Sequence, residues 1–416
     1  ASEGGHLPVV MYLVEAKAHV DISPGRVCTP LYVASRAGHL AVVQYLVEAK
    51  ANINKVINDN GCTALLVSSC NGHLAVVQCL VEAKADIDQA TIGNGCTPVN
   101  VASSNGHLAV VQHLVEAKAD VDKATTDDGF TPLFGASSNG HVAAVKCLVE
   151  AKADVDKAKT DNGFTPLLAA SQKCHLAVVQ CLVEAKADVD KATTDNGCTP
   201  VNVASQAGNL PVVQCLVKGK ADVNKATTDT GCTPLHIAAN RGQVDVVRSL
   251  LLAGADGNIK DAHNEFPADY ATAGGHHELS VWLTKTQSWS RLQLLCEARE
   301  EEQVLSLLRS DHPLSFAATV SPDGSSWSPL NCALACSPQL PLALPVNLSL
   351  AEMVRQVESE PWSPANHRLF PASYRSAVRC LLLVQHRTRI MPDRFTLWAR
   401  YVLPFSGRDW FRVESL

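Results

Sequence analysis

The sequence predicts an all-α solenoid: stacked helix-turn-helix units with β-hairpin finger loops, followed by a small helical C-terminal region. Three observations predict it. The heptapeptide GHLAVVQ stands at 38–44, 72–78 and 106–112, each copy 34 residues after the last. The pair Thr-Pro keeps the same step, at Thr29-Pro30, Thr97-Pro98, Thr131-Pro132, Thr165-Pro166, Thr199-Pro200 and Thr233-Pro234, with Thr63-Ala64 filling the gap. Within each step an apolar stripe of helical period alternates with a polar loop. One catalytic segment has no reason to recur. A packing segment has, because a unit stacked on its own copy must present the same face.

Each unit reads alike. TPLLAAS (165–171) starts a short helix, with Thr165 as N-cap and Pro166 at the first helical position, where its missing N–H costs nothing. Gly-His breaks the chain, and LAVVQCLVEAK forms a second helix whose apolar residues are Leu176, Val178, Val179, Leu182 and Val183. ADVDKATTDNG is polar, and its Asp-Asn-Gly suits a hairpin turn. One unit has too little apolar surface to offset its chain entropy; a stack buries both helices. The pattern gives an array over 1–285. A partial repeat at 1–22 precedes repeats at about 27–56, 61–90, 95–124, 129–158, 163–192, 197–226, 231–260 and 264–285. Opening at Ala1 inside the pattern, the chain reads as a fragment or a truncated gene model.

GCTPLHIAANRGQVDVVRSLLLAGAD (231–256) resembles the ankyrin repeat: Thr-Pro-Leu-His-x-Ala-Ala, a central turn and Gly-Ala-Asp at the end, recurring in register. The resemblance implies an L-shaped array with finger loops and a protein-binding concave face. The chain departs from the family in three ways. Its step is one residue longer than the family's, about 33. The first-helix His is kept at His236 alone, its slot holding Tyr32, Leu66, Asn100, Phe134, Leu168 and Asn202 elsewhere. The Gly ending helix two is Lys at Lys50, Lys84, Lys118, Lys152, Lys186 and Lys220. In left-handed backbone each such Lys costs about 1 kcal/mol relative to Gly.

Residues 286–359 read as degenerate repeats: SRLQLLCEAREEEQVLSLLRSD (290–311) aligns without gaps on 233–254, and SPLNCALA (328–335) resembles another first helix. Residues 360–416 read as an Arg- and aromatic-rich helical cap or docking module. Small helical boxes behind ankyrin arrays recruit ubiquitin ligases, which offers an alternative function, a ligase substrate adaptor.

Charge is unevenly spread. Residues 1–365 hold 26 Lys+Arg against 38 Asp+Glu, and residues 366–416 hold 9 Arg against 3 acids. An acidic array argues against nucleic acid as its ligand. The Arg-rich tail suits either an anionic ligand or pairing with the acidic array. No apolar run reaches the roughly 18 residues of a membrane span. Of fifteen cysteines, five share one slot (Cys28, Cys62, Cys96, Cys198, Cys232) and four another (Cys79, Cys147, Cys181, Cys215). Copies stacked about 10 Å apart cannot bridge, since a disulfide needs Cα atoms within about 7 Å. The cysteines therefore read as reduced and half-buried, and the compartment as intracellular, cytoplasmic or nuclear.

His39, His73, His107, His141 and His175 lie a repeat apart, too far to share a metal ion, and read as turn residues bonding backbone. DVDKATTDNG (188–197) lacks the D-x-D-x-D-G core and final Glu of a calcium loop and reads as a solvated finger. P-loop, G-x-S-x-G and HExxH motifs are absent. The expectation is a non-enzymatic, cofactor-free, monomeric scaffold that binds another protein.

Comparison of the copies locates that partner. Stacking fixes the Leu and Val of helix two. Three slots vary: the finger residue before Thr-Pro, the fourth slot of helix one, and the two residues before the inter-helix turn. In two successive units the finger residue changes from Cys to Phe130 and Phe164, with Phe134, Leu168, Ser138, Asn139, Gln172 and Lys173 in the neighbouring variable slots. These eight are the candidate partner-binding residues. Two readings stay open: exposed anchors whose truncation spares stability, or rings that each cover their own hairpin.

Overall fold

Thr-Pro and Gly-His punctuate the chain where helices begin and turn. The computed structural model describes residues 1–22, 28–57 and 60–287, together with the backbone of 319–320 and 326–327. Helix α1 (Leu7–Glu15) is followed by the pairs α2 (Pro30–Ala37) and α3 (Leu40–Glu48), α4 (Ala64–Cys70) and α5 (Leu74–Glu82), α6 (Pro98–Ser104) and α7 (Leu108–Glu116), and α8 (Pro132–Ser138) and α9 (Val142–Glu150). Then come α10 (Pro166–Gln172) and α11 (Leu176–Glu184), α12 (Pro200–Ala207) and α13 (Leu210–Lys218), α14 (Pro234–Asn240) and α15 (Val244–Leu252), α16 (Pro267–Ala273) and α17 (His277–Thr286).

The chain divides into two compact units. In the first, residues 1–253 with 259–276, first helices pack on first helices and second helices on second, giving the two-layered solenoid. Its core is a column of identical side chains: Val43, Val77, Val111, Val145, Val179, Val213 and Val247 are all fully buried. Each contributes on the order of 1.5–3 kcal/mol. In helix α11 the expected Val178, Val179 and Leu182 are buried together with Cys181, while Leu176 and Val183 are half-buried. The second unit comprises 254–258 with 277–416. Its described part holds α17, with Leu279 and Leu283 buried, and the antiparallel pair β1 (Thr319–Val320) and β2 (Ser326–Trp327). The degenerate repeats expected over 286–359 and the helical region over 360–416 otherwise lie outside the described residues, as does the docking box of the adaptor reading.

Local chemistry sets the element ends. Thr29, Thr63, Thr97, Thr131 and Thr165 each accept the N–H three residues on, capping α2, α4, α6, α8 and α10. At the other end of the pair, Lys17, Lys50, Lys84, Lys118, Lys152, Lys186 and Lys220 all have left-handed backbone, with φ between 62° and 70°. At Lys50 the motif is complete: its N–H donates to Val47 O at 3.0 Å and that of Ala51 to Leu46 O at 3.0 Å. The added loop residue therefore does not relieve the Lys geometry. The finger loops are hairpin turns rather than strands. In one, Thr125 N–H donates to Phe130 O at 3.0 Å, and among the described fingers Ile57–Cys62 alone forms a bridge.

Candidate functional site

Most polar side chains that recur in every copy hold neighbouring copies together. The turn histidines form a ladder. Nε2 of His73, His107 and His141 donates to Arg36 O at 3.0 Å, Cys70 O at 2.9 Å and Ser104 O at 3.0 Å, all backbone of the preceding unit. The ring lies so near the turn that a Cβ on Gly38 would come within 2.8 Å of His73 Nδ1, and Gly38 is left-handed besides. The loop acids form a second ladder. Asp156 Oδ1 accepts the N–H of Asp188 at 2.9 Å, and Lys191 Nζ donates to Asp156 O at 2.8 Å. The carboxylates of DVDKATTDNG are thus spent on backbone N–H groups, and no cluster of three or more His, Cys, Asp or Glu suited to a metal occurs among the described residues. Fingers join laterally through single backbone bonds such as Thr160 N–H to Asp128 O, 2.9 Å.

What remains free to differ lies where the Phe-bearing fingers meet helices α8 and α10. A groove of about 290 Å³ opens there, lined by Phe134, Ser138, Lys159, Asn162, Phe164, Ala169 and Gln172. Phe134 and Phe164 form one wall edge to face, with centroids 6.4 Å apart, and Phe130 packs edge on behind Phe134 at 4.9 Å. Lys159 sits with Nζ 5.9 Å from the Phe134 centroid, 3.0 Å from Asp128 and 3.3 Å from Asp161. Burial alone would raise the Asp128 carboxyl, but hydrogen bonds from Lys159 and Thr125 outweigh it and hold the group below the usual carboxylate range. Burial likewise pulls the Lys159 ammonium down, and its bonds to Asp128 and Asp161 more than reverse that. Asp128 and Lys159 are therefore both ionised near neutral pH. Elsewhere along the fingers, burial first of all pushes the Cys96 and Cys198 thiols up to about 11.

Of the eight residues the sequence singles out, the groove gathers four: Phe134, Ser138, Phe164 and Gln172. Gln172 is exposed and Ser138 half-buried. The other four, Phe130, Asn139, Leu168 and Lys173, lie outside the lining. Leu168 is fully buried and offers a partner no surface, because the first-helix layer closes over the fourth slot. Phe134 in that same slot keeps only 7% exposure, at the groove wall. Asn139 is exposed, but its Nδ2 donates to Ser104 O at 2.9 Å, the carbonyl that also takes His141. Lys173 is exposed and outside the lining. Phe130 and Phe164 are half-buried; Phe130 lies beside Gly135 of its own unit and Phe164 beside Phe134 of the preceding one.

Lys159, Asn162 and Ala169 were not singled out by sequence. Lys159 takes a finger slot that is Thr91, Thr125, Thr193 and Thr227 in other units, and Ala169 a helix slot that is Val33, Val67, Val101 and Val203. The signal was present in register.

A two-layered stack of helix pairs joined by finger loops defines a helical repeat-array protein. The model for ankyrin repeats (3 copies) matches residues 51–125, 99–193 and 187–261, and that for ankyrin repeats (many copies) matches 1–47. Together these span more than half the chain, which belongs to the ankyrin repeat family. No curated protein matches it. Among solved structures, the crystal structure of the human ASB11 ankyrin repeat domain is similar, with TM-score 0.48 and 25% identity, covering 55% of this chain and 99% of that one. Ankyrin repeats are in general protein–protein interaction modules, and proteins built of them are typically non-enzymatic. No helix among the described residues is long and apolar enough to cross a membrane.

Proposed function

We propose that this chain is a non-enzymatic, monomeric, intracellular scaffold that holds a partner protein against the fingers and the first-helix layer, centred on the groove between Phe134 and Phe164. One observation carries the reading. Residues that depart from their counterparts in other units, Phe134, Lys159, Phe164 and Ala169, line one opening, whereas the recurring His, Asp and Lys side chains of the turns and loops are occupied in the inter-repeat ladders. Phe164 and Ala169 also trade volume within their unit, but the rings and the Lys159 charge that result stand at the opening, where a partner can meet them. A photo-crosslinking amino acid placed at Gln172, on the exposed rim, is expected to trap a partner polypeptide. The same group at Gln78, on the exposed side of helix α5, is expected to trap none. Equal trapping from both positions, or trapping from Gln78 alone, would reject this surface.

A further inference from the structure

The groove's chemistry narrows what can enter it. Four of its seven lining residues are polar: Ser138, Lys159, Asn162 and Gln172. A purely apolar anchor would cover Ser138 and Gln172 without offering either a partner. An anion meets the wrong field. Asp128, Lys159 and Asp161 form one ion-paired row, 3.0 and 3.3 Å between its members, with two negative charges to one positive. Further carboxylates, Asp195 and Asp229, stand at the next finger tips, and residues 1–287 carry 22 Lys+Arg against 29 Asp+Glu. The field thus leaves room for one more cation.

We infer that the partner inserts an arginine side chain into this groove, its guanidinium plane against the Phe134 and Phe164 rings and its N–H groups directed to Ser138 Oγ and Gln172 Oε1 of the lining and to Asp161, which lies beside the lining and shares its carboxylate with Lys159. The inference rests on the proposed partner-binding role and names the chemistry of what is bound. Arginine fits better than lysine. Its planar guanidinium stacks on rings and offers five donors to several acceptors, whereas an ammonium is compact and holds its water more strongly. The same stretch already shows how a cation is accommodated, since Lys159 lies near the Phe134 ring while paired to both carboxylates. Lys159 is also the charge that an incoming arginine must tolerate. Thr, which fills this finger slot in four other units, would remove it.

The test uses the full chain and a short fluorescein-labelled alternating Gly-Arg peptide, with Gly-Lys and Gly-Glu peptides for comparison, read by fluorescence anisotropy. Binding is expected in the order Arg, then Lys, with none for Glu. Asp161→Asn is expected to weaken the Gly-Arg peptide by about tenfold and Lys159→Thr to tighten it several-fold. Asp229→Asn, the same charge change at a finger tip outside the groove, is expected to leave it nearly unchanged. Asp161 and Asp229 are exposed, so neither change disturbs the core. Equal weakening by the two Asp variants would reduce the effect to general attraction by an acidic protein and overturn the inference. So would no preference for Arg over Lys, or binding of the Glu peptide. In each of those cases the Gln172 crosslink could still form, which separates failure of the arginine assignment from failure of the binding surface.

Discussion

Phe130 occupies the space that a side chain at position 135 would need. A Cβ built on Gly135 would meet Ser104 Oγ of the preceding unit and lie 2.8 Å from Phe130 Cε1. Five units pair a finger Cys with Val or Ile at this helix slot, as in Cys28 with Val33 and Cys232 with Ile237. The two Phe-bearing units pair Phe130 with Gly135 and Phe164 with Ala169. Finger and helix therefore exchange volume. This also accounts for a glycine inside α8, where it costs roughly 1 kcal/mol against Ala. Gly135→Val alone is expected to destabilise the array by about 1–3 kcal/mol through overpacking. Combined with Phe130→Cys, which restores the pairing of the other units, the part of that loss due to the ring should disappear, while the contact with Ser104 stays. A double-mutant cycle by chemical denaturation measures the coupling, and additive effects would mean the two sites are independent.

A buried serine row makes a second prediction. Ser35, Ser69, Ser103, Ser137, Ser171 and Ser205 are fully buried, and none of their hydroxyl oxygens has a hydrogen-bond partner. The same slot is Ala239 in a later unit, so the packing accepts a methyl group. An unsatisfied buried hydroxyl costs about 1–3 kcal/mol. Ser137→Ala is expected to raise stability by about 1 kcal/mol or more, the gain in helix propensity included. A clear loss on denaturation would show that the hydroxyl is paired.

A gap in the loop ladder makes a third. Lys55, Lys123, Lys157, Lys191 and Lys225 each donate Nζ to a backbone carbonyl of the preceding loop, at 2.6 to 2.9 Å. Gln89 holds the equivalent slot, and its buried Oε1 has no partner. An amide oxygen cannot bond a carbonyl. Gln89→Lys is expected to place an ammonium on Asn54 O and to stabilise the array by about 0.5–1.5 kcal/mol, seen as a shifted denaturation midpoint. An unchanged midpoint would mean that the carbonyl is already satisfied.

Much of this architecture is legible in the sequence because it repeats. The Thr caps, the Val and Leu column and the Lys ending helix two all follow from registering one copy on the next; the family's Gly left two outcomes at Lys50 and its counterparts, a left-handed backbone or a longer loop that relaxes it, and the backbone is left-handed. The groove was only half legible. Variation between copies marked Phe130, Phe134, Phe164 and Leu168, but a slot can vary because its covering finger varies. Leu168 is such a case, fully buried. Lys159 escaped notice because its chemistry is lateral: its partner Asp128 belongs to the preceding finger, and no single unit contains both. Comparing slots in pairs, as with Phe130 and Gly135, recovers what comparing them singly misses.

The remaining prediction concerns pH. His236 is fully buried; its Nδ1 faces the N–H of Thr233 at 3.2 Å and its Nε2 faces Glu265 O at 3.2 Å. The carbonyl can only accept, so Nε2 carries the proton, and Nδ1 accepts from Thr233. That is a neutral ring. Around it stand the Tyr270 ring, 5.2 Å away edge on, and the carboxylates of Asp261, Asp269 and Glu265. Burial lowers the His236 pKa, and it outweighs the backbone bond to Glu265 and the three acids, which act to raise it. The folded state thus binds fewer protons than the unfolded one once pH falls below the ordinary value of 6.5. His236's contribution is fully present above that value and shrinks as pH falls from it toward the lowered folded value, by at most about 1.4 kcal/mol per pH unit. Asn100 and Asn202 fill this slot in other units and return the same bond to the Thr cap without a titrating group. His236→Asn is therefore expected to remove part of the stability loss between about pH 7 and pH 5, a range above that in which the lowered carboxyls of Asp128, Asp195, Asp229 and Asp261 titrate. Denaturation midpoints measured across that range for both proteins check the sign. Parallel curves would mean that His236 takes up its proton without leaving its place.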